Sequence, residues 1–301
     1  MSFPYSYTIV FENEDFAVLN KKRGIPSAPL KKGDVSVLTE FLATREKAAE
    51  VVGSKKQVEA GLVHRLDTAT SGLILIAKKQ KIYDALLLMQ HHNLIEKEYI
   101  ASCDLNPLLV NNTSSDTTYA QNPFLQQTNL NATCKRRRLD RRHDRHERQP
   151  LIKAGLSFQI KSYFLPFGKG GKMVRAIFAP INDLAKNKHK RHLKKEYTTN
   201  VTISDCKKNG DVTCICRLTQ GFRHQVRCHL SYIGLAIKGD ALYNTRYIEE
   251  HKEKIEEEVM MHSYPLELTA CKISFPSPYF PLSHTKAKLS FSLPLQDRTS
   301  Q

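Results

Sequence analysis

The 301 residues include 46 Lys and Arg against 30 Asp and Glu, a formal charge of +16 at neutral pH, with 41% hydrophobic and 25% charged residues. That balance belongs to a folded chain, not a disordered one, and its sign calls for a polyanionic partner, either nucleic acid or an anionic membrane surface. The longest apolar runs, such as Leu73 to Ala77 and Leu86 to Met89, fall far short of the roughly 18 residues a spanning helix needs, which weakens the membrane alternative.

The start, Met1-Ser2-Phe3-Pro4-Tyr5, lacks the charged opening and apolar centre of a signal peptide. Seven cysteines without regular spacing fit free thiols in a reducing compartment, so a cytoplasmic location is expected. Tyr7 to Phe11 and Phe16 to Leu19 read as two short strands around the turn Glu12-Asn13-Glu14-Asp15. Asn20-Lys21-Lys22-Arg23-Gly24 follows, and Lys21 is either a phosphate contact or simply solvated. Val35, Leu38, Phe41 and Leu42 have helical spacing and predict a helix over residues 35–51.

Gly61-Leu62-Val63-His64-Arg65-Leu66-Asp67 then runs through Thr70-Ser71-Gly72 into the apolar run Leu73 to Ala77, which reads as a buried strand. Asp67 therefore lies on a loop held against the core, with Arg65 placed to keep it ionised. A carboxylate nucleophile or base is held in this way, and so is an Asp that merely caps a turn. Ile82, Ala85, Leu86 and Met89 mark a core-facing helix. In Lys97-Glu98-Tyr99-Ile100-Ala101, strand alternation puts Lys97, Tyr99 and Ala101 on one face.

Residues 104–150 are polar and aperiodic, and end in a basic stretch from Lys135 to Arg148. They read as a mobile insertion that either tethers or binds RNA. Strand character returns from Gly155 to Ile181. Phe167-Gly168-Lys169-Gly170-Gly171-Lys172 lacks P-loop spacing and reads as a basic hairpin tip. Tyr197, Thr199, Val201 and Ile203 share one strand face, Asn209-Gly210 turns the chain, and Val212, Cys214, Cys216 and Leu218 form the returning partner. The single-residue gap in Cys214-Ile215-Cys216 favours buried strand cysteines over a metal site.

Gly221-Phe222-Arg223-His224-Gln225-Val226-Arg227 opens a helix with Val226, Leu230 and Ile233 as its buried stripe. Arg227 projects from that helix, where it either reaches a buried carboxylate or adds surface charge. Gly234 to Tyr243 contains Asp240, expected to tie its loop together. Glu249 to Val259 reads as a charged surface helix, and Met261 to Leu268 as the closing strand.

Taken together, His64-Arg65-Leu66-Asp67 with Thr70-Ser71-Gly72, then Lys97-Glu98-Tyr99-Ile100-Ala101, then Gly221 to Arg227, resemble the three catalytic motifs of the RluA-type pseudouridine synthases, in that family's order. The second matches Lys-x-Tyr-x-Ala. The third is similar to Gly-Arg-x-His-Gln-Ile/Leu-Arg, with Phe222 in place of the first arginine and Arg223 one position later. Asn20 to Ile25 is similar to the family's opening hairpin, with Lys22 where proline is usual. Gly234 to Tyr243 is similar to Gly-x-Pro-Ile-x-Gly-Asp-x-x-Tyr.

The resemblance implies an α+β fold, the pseudouridine synthase catalytic fold, with a mixed, largely antiparallel sheet, flanking helices and a central cleft. It implies one catalytic domain over residues 1–301, with no separate N-terminal RNA-binding domain because only about six residues precede the opening hairpin. The implied activity is isomerisation of uridine in structured RNA, ribosomal RNA ahead of tRNA, without cofactor or metal, by a monomer acting away from membranes. Asp67 would supply the catalytic carboxylate, Tyr99 would pack on the flipped uracil, and Arg227 would pair with Asp67. His64, Arg65, Lys97, Arg223, His224 and Gln225 would contact substrate. Two rivals are a non-catalytic RNA-binding or ribosome-assembly protein, and a hydrolase using Ser71 or His64.

Overall fold

The computed structural model describes residues 6–31, 33–45, 51, 59–105, 152–168, 171–178, 195–251, 253, 264–279 and 287–294. Tyr7–Glu12 (β1) and Phe16–Lys21 (β2) pair antiparallel across a turn in which the Asn13 side-chain oxygen accepts from the amides of Asp15 and Phe16, each at 2.9 Å. Such a side-chain mimic of a turn is why Asn is favoured there. The predicted helix over 35–51 is shorter at both ends and runs Val37–Ala43 (α1), closing at Thr44. Ser36 caps it: the Thr39 amide donates to Ser36 Oγ at 3.1 Å, and the Ser36 amide donates to Thr39 Oγ1 at 2.8 Å. Val35 thus lies outside the helix, 69% exposed, while Leu38 and Phe41 are buried. Residues 46–50 lie outside the described set.

Ser71–Ala77 (β3), Gln80–His91 (α2) and Glu96–Leu105 (β4) follow where apolar spacing places them. The insertion expected at 104–150 falls, from residue 106 onward, outside the described residues. Ser157–Phe167 (β5) and Met173–Ile177 (β6) form a hairpin closing on the Gly168–Lys172 region. Tyr197–Cys206 (β7) and Asp211–Leu218 (β8) pair antiparallel around Asn209-Gly210, and Gln225–Tyr232 (α3) comes next. Leu235–Ile237 (β9) precedes Thr245–Glu250 (α4), and the chain ends in Leu268–Pro276 (β10) and Lys288–Ser292 (β11).

Two expectations at the C-terminal end need correction. The surface helix begins at Thr245, capped by Asn244, whose side chain accepts from the Tyr247 amide at 3.1 Å, and residues 254–259 lie outside the described set. The closing strand starts at Leu268, where the chain enters the sheet between β3 and β4; residues 264–267 precede it as loop.

The strands run in the order β1-β2-β3-β10-β4-β8-β7-β5-β6, with β11 beside β10 and β9 beside β4. Among the described residues the one parallel pairing is β3 with β10, so the sheet is mixed and largely antiparallel. β2 and β3 are buried on both faces. One face contributes Leu19, Ile74 and Ile76 to a core with α1 and α3; the other contributes Val18, Leu73 and Leu75 to a core with α2. Burial on both sides explains an unbroken apolar run in place of alternation. β4, β7 and β8 alternate instead, and their outer face carries polar pairs such as Gln159 with Asn200 and Arg217 with Glu98. Among the described residues no helix is long and apolar enough to cross a membrane.

The β3–β10 contact depends on Gly72. Its φ is +114°, and a Cβ there would lie on the Ala270 carbonyl oxygen and 2.5 Å from the Ala270 amide nitrogen. Gly72→Ala must therefore push β10 away or break the pairing. A loss on the order of 3 kcal/mol or more is expected, read as a lower urea midpoint. A variant as stable as the parent would show that the two strands do not approach this closely.

Candidate active site

The Asp67 loop leaves the sheet edge at the Leu62–Ile76 bridge and is pinned from three directions before it re-enters as β3. Ser27 and Leu66 exchange two bonds, at 2.9 and 3.0 Å. The Gly24 amide donates to the Thr68 carbonyl at 2.9 Å, and the Thr70 amide to the Asp67 carbonyl at 3.0 Å. The third anchor is Lys21, which corrects the reading of it as a solvated or phosphate-binding lysine. It is fully buried, and its ammonium donates to the carbonyls of Lys22, Ile25 and Thr68 at 2.9, 2.8 and 3.0 Å. Burial pulls its pKa down to about 7, opposed by the charge of Asp67. One strand-end lysine thus ties the opening hairpin to the peptide that follows Asp67.

Strand pairing brings Tyr99 to the same place. Gly72 faces Ala270 across β3–β10, and Ala270 faces Tyr99 across β10–β4. The Tyr99 ring is 9% exposed. Burial, then the charge of Asp67, raise its phenol pKa, so the two side chains interact electrostatically.

α3 delivers the positive charge. Arg227, 1% exposed, gives Asp240 a two-pronged ion pair, Nε to Oδ2 at 2.8 Å and Nη2 to Oδ1 at 2.7 Å. Nη2 also donates to the Tyr264 hydroxyl at 3.1 Å, and the guanidinium lies over the Tyr243 and Tyr264 rings at 5.3 and 5.6 Å. The remaining nitrogen, Nη1, stands 3.6 Å from Asp67 Oδ2. Arg227 therefore does reach Asp67, but Asp240 is its tighter partner. A fork fixed by one carboxylate presents its free edge to the other in a set direction. Asp240 also ties its own loop, accepting from the amides of Leu242 and Tyr243 at 2.9 and 3.2 Å.

His224 precedes α3 in a left-handed conformation, φ 56° and ψ 19°, which costs a non-glycine residue about 1–2 kcal/mol. Strain of that size persists only where surroundings hold it. Here Nδ1 bonds the Tyr243 hydroxyl at 3.1 Å and Nε2 lies 3.8 Å from Asp67 Oδ2. Burial, against the charge of Asp67, pulls its pKa down to about 4, so the ring is neutral at pH 7.

The other predicted site residues divide. Arg65 points away from Asp67; its guanidinium pairs with Glu59 at 2.9 Å and its side chain is 52% exposed. Gln225 is turned into the protein. It is buried, donates to the Thr198 carbonyl and Thr199 Oγ1 at 3.0 Å each, and accepts from the Phe222 amide at 3.0 Å. Arg223 is exposed, and its guanidinium holds the β5–β6 hairpin through the Gly171 and Met173 carbonyls. Phe222, where the family has arginine, stacks on Phe164 with centroids 5.0 Å apart and planes at 7°. His64 and Lys97 are both buried, the charge of Lys97 acts on His64, and among the described residues neither ring nitrogen of His64 has a hydrogen-bond partner.

Ser71 Oγ bonds Thr269 Oγ1 at 2.9 Å, so no His64–Ser71 dyad forms for hydrolysis. Cys214 and Cys216 are core residues, as expected. Sequence reasoning missed Tyr264, which belongs to no motif, and gave Tyr243 no role; only the fold places them around Arg227.

Burial lowers the Lys97 pKa from the ordinary 10.5 to about 8, a difference worth on the order of 3 kcal/mol. Between about pH 8 and 10.5 the unfolded chain binds this proton more than the folded chain does. Stability from this group therefore rises with pH through that window, and the full cost is present below it. Lys97→Met is expected to be more stable than the parent at pH 7 and to show a flatter rise between pH 8 and 10, measured as urea midpoints in phosphate-free buffer. An unchanged pH slope would contradict the burial argument.

An acid oriented by a buried arginine beside an aromatic face can act on an electrophilic sugar carbon, or move a proton, next to a flat ring. The family model described as RNA pseudouridylate synthase matches residues 15–232. An "Uncharacterized RNA pseudouridine synthase" of Helicobacter pylori strain J99 is 26% identical over 287 residues, covering 95% of this chain and 66% of its own length. A "Ribosomal large subunit pseudouridine synthase D" of Zymomonas mobilis is 25% identical over 237 residues, covering 78% of this chain and 55% of its own. The chain thus spans no more than about two thirds of the length of these relatives. The solved structure titled "Human RNA Pseudouridylate Synthase Domain Containing 4" superposes with a TM-score of 0.54 at 17% identity, covering 95% of this chain and 88% of that one, and so shares the fold. With a family model spanning all three motifs, this chain belongs to the RNA pseudouridylate synthase family.

Proposed function

We propose that this chain isomerises uridine to pseudouridine in structured RNA, ribosomal RNA ahead of tRNA, with Asp67 as the catalytic carboxylate. The observation that carries the reading is the arrangement of Asp67, Arg227 and Tyr99, in which Asp240 fixes the guanidinium with its free edge 3.6 Å from Asp67. The reaction breaks the bond between uracil N1 and sugar C1′, turns the base, joins C5 to C1′ and moves the C5 proton to N1. Asp67 acts at C1′, at the proton beside it, or on the base. Arg227 orients it and offsets its desolvation. Tyr99 packs against the uracil, which leaves the RNA stack at a cost of a few kcal/mol. Phosphate contacts from a chain of net charge +16 offset that cost. Ribosomal RNA is placed first because relatives such as the Zymomonas protein carry that substrate in their names.

Incubating the protein with unmodified ribosomal RNA and tRNA transcripts, then mapping pseudouridine by carbodiimide adducts and primer extension, tests the reading. New pseudouridine at discrete positions of large-subunit RNA, and none in tRNA, is the expected result. Tight binding without conversion in either RNA would instead identify a non-catalytic binder.

A further inference from the structure

We propose that Lys97 and His64 form a subsite for a phosphate of the bound nucleotide, opened to solvent by the missing side chain of Gly221. The proposal rests on the reading above that a nucleotide occupies the Asp67 site, and it assigns these two residues a ligand group.

Lys97 is 4% exposed, and among the described residues its ammonium has no hydrogen bond and no carboxylate partner. Buried cations are ordinarily paired, because removing an unpaired charge from water is expensive. Lys21, the other buried lysine at this end of the sheet, meets that rule with three carbonyls. Lys97 does not. Its pKa is lowered by burial alone, with no opposing contribution from Asp67, whereas Lys21 and His224 both feel that carboxylate. The Lys97 charge is thus left over after the catalytic acid has been neutralised.

His64 adds a second orphan. It is 8% exposed and both ring nitrogens are buried without partners. Burial first, then the charge of Lys97, lower its pKa to about 3, so one nitrogen carries a proton with nothing to receive it. A cation and an adjacent N–H donor, neither with an acceptor, are complementary to an anion.

Access comes from Gly221. Lys97 pairs in register with Leu218 at the end of β8, and the chain then turns through Gln220 and Gly221 over the ammonium. Gly221 is exposed, and a Cβ built on it would sit 3.5 Å from Lys97 Nζ. Its φ is not in the left-handed region and a Cβ would meet the ammonium at ordinary van der Waals distance, so a larger side chain there would fit but would cover the ammonium. Gln220 leaves Oε1 buried and unbonded, an acceptor that a ribose hydroxyl would satisfy. The same turn leads within three residues to His224 at the Asp67 carboxylate. A nucleotide with its base at Tyr99 carries its own phosphate, and phosphate is the one formal charge it has.

The test compares uridine with uridine 5′- and 3′-monophosphate in NMR titrations at constant ionic strength, using the parent, Lys97→Met and Gly221→Val. The parent is expected to bind one of the monophosphates about tenfold more tightly than uridine. Both variants are expected to bind uridine and its monophosphates alike. Gly221→Val retains the lysine, so it reports on access separately from the charge that Lys97→Met removes. No preference for phosphate in the parent, including binding of none of the three, overturns the proposal, as does a full preference in either folded variant. A parent that prefers the monophosphate yet forms no pseudouridine in either ribosomal RNA or tRNA would sink the catalytic reading and leave the subsite standing.

Discussion

Asp67→Asn is expected to lower pseudouridine formation by at least about 10³-fold while leaving the fold intact. The exchange keeps the shape of the side chain and removes the charge that acts on sugar or base. Its structural cost is small for a specific reason. Arg227 keeps its two bonds to Asp240 at 2.8 and 2.7 Å and its bond to Tyr264, so the buried guanidinium does not lose its counter-ion. Asp67 itself is 24% exposed, and its contact with Arg227 is the longer one at 3.6 Å. A change in stability within about 1 kcal/mol is therefore expected. Single-turnover assays on unmodified ribosomal RNA, alongside thermal melts, measure both quantities. Retention of the parent rate would remove Asp67 from the mechanism.

The opposite balance is expected at Asp240, where the stability loss leads. Asp240→Ala leaves a guanidinium that is 1% exposed facing only the more distant Asp67, and strips acceptors from the amides of Leu242 and Tyr243. Breaking a buried pair on one side costs about 3–5 kcal/mol, which lowers the melting temperature by on the order of 10 °C. Turnover should also fall at temperatures where the variant is folded, because the fork is no longer held with its free edge toward Asp67. Replacing both charges, Asp240→Ala with Arg227→Met, should recover part of the stability and none of the activity. A single Asp240 variant as stable as Asp67→Asn would show that the clamp does not carry the energy its geometry implies.

The two carboxylates differ in a way that the chain order hides. Asp67 lies in a motif and Asp240 lies 173 positions later in a loop that reads as structural. Each is a short acidic side chain in a loop with small residues close by in sequence. What separates them is depth: Asp240 is completely buried and Asp67 is not. That difference comes from α3 packing over one and leaving the other at the edge of the sheet.

Much of the architecture was legible because it is local. Alternation in Lys97 to Ala101 and in Tyr197 to Ile203 gave the inward face of each strand, with Glu98, Thr198, Asn200 and Thr202 facing outward. Helical spacing in Ile82 to Met89 gave α2. Helix ends were less legible: α1 begins two residues later than apolar spacing suggests because the Ser36–Thr39 exchange of bonds, not hydrophobicity, sets its start. The closing strand was displaced because β10 is selected by its neighbours. It is the only described strand to run parallel to β3, and a pairing between residues 71 and 269 leaves no mark on nearby sequence.

The sequence by itself determined which residue types are available, where the strands and helices fall, and, through the order of three motifs, the family. Tertiary structure decided what each candidate touches. It turned Arg65 outward onto Glu59, committed Gln225 to the backbone of β7, buried Lys21 as an anchor, and left Lys97 without a partner among the described residues. The reason is that the charge state and role of a side chain depend on the dielectric and the donors around it. Those are supplied by segments tens to hundreds of residues away, which spacing along the chain does not encode.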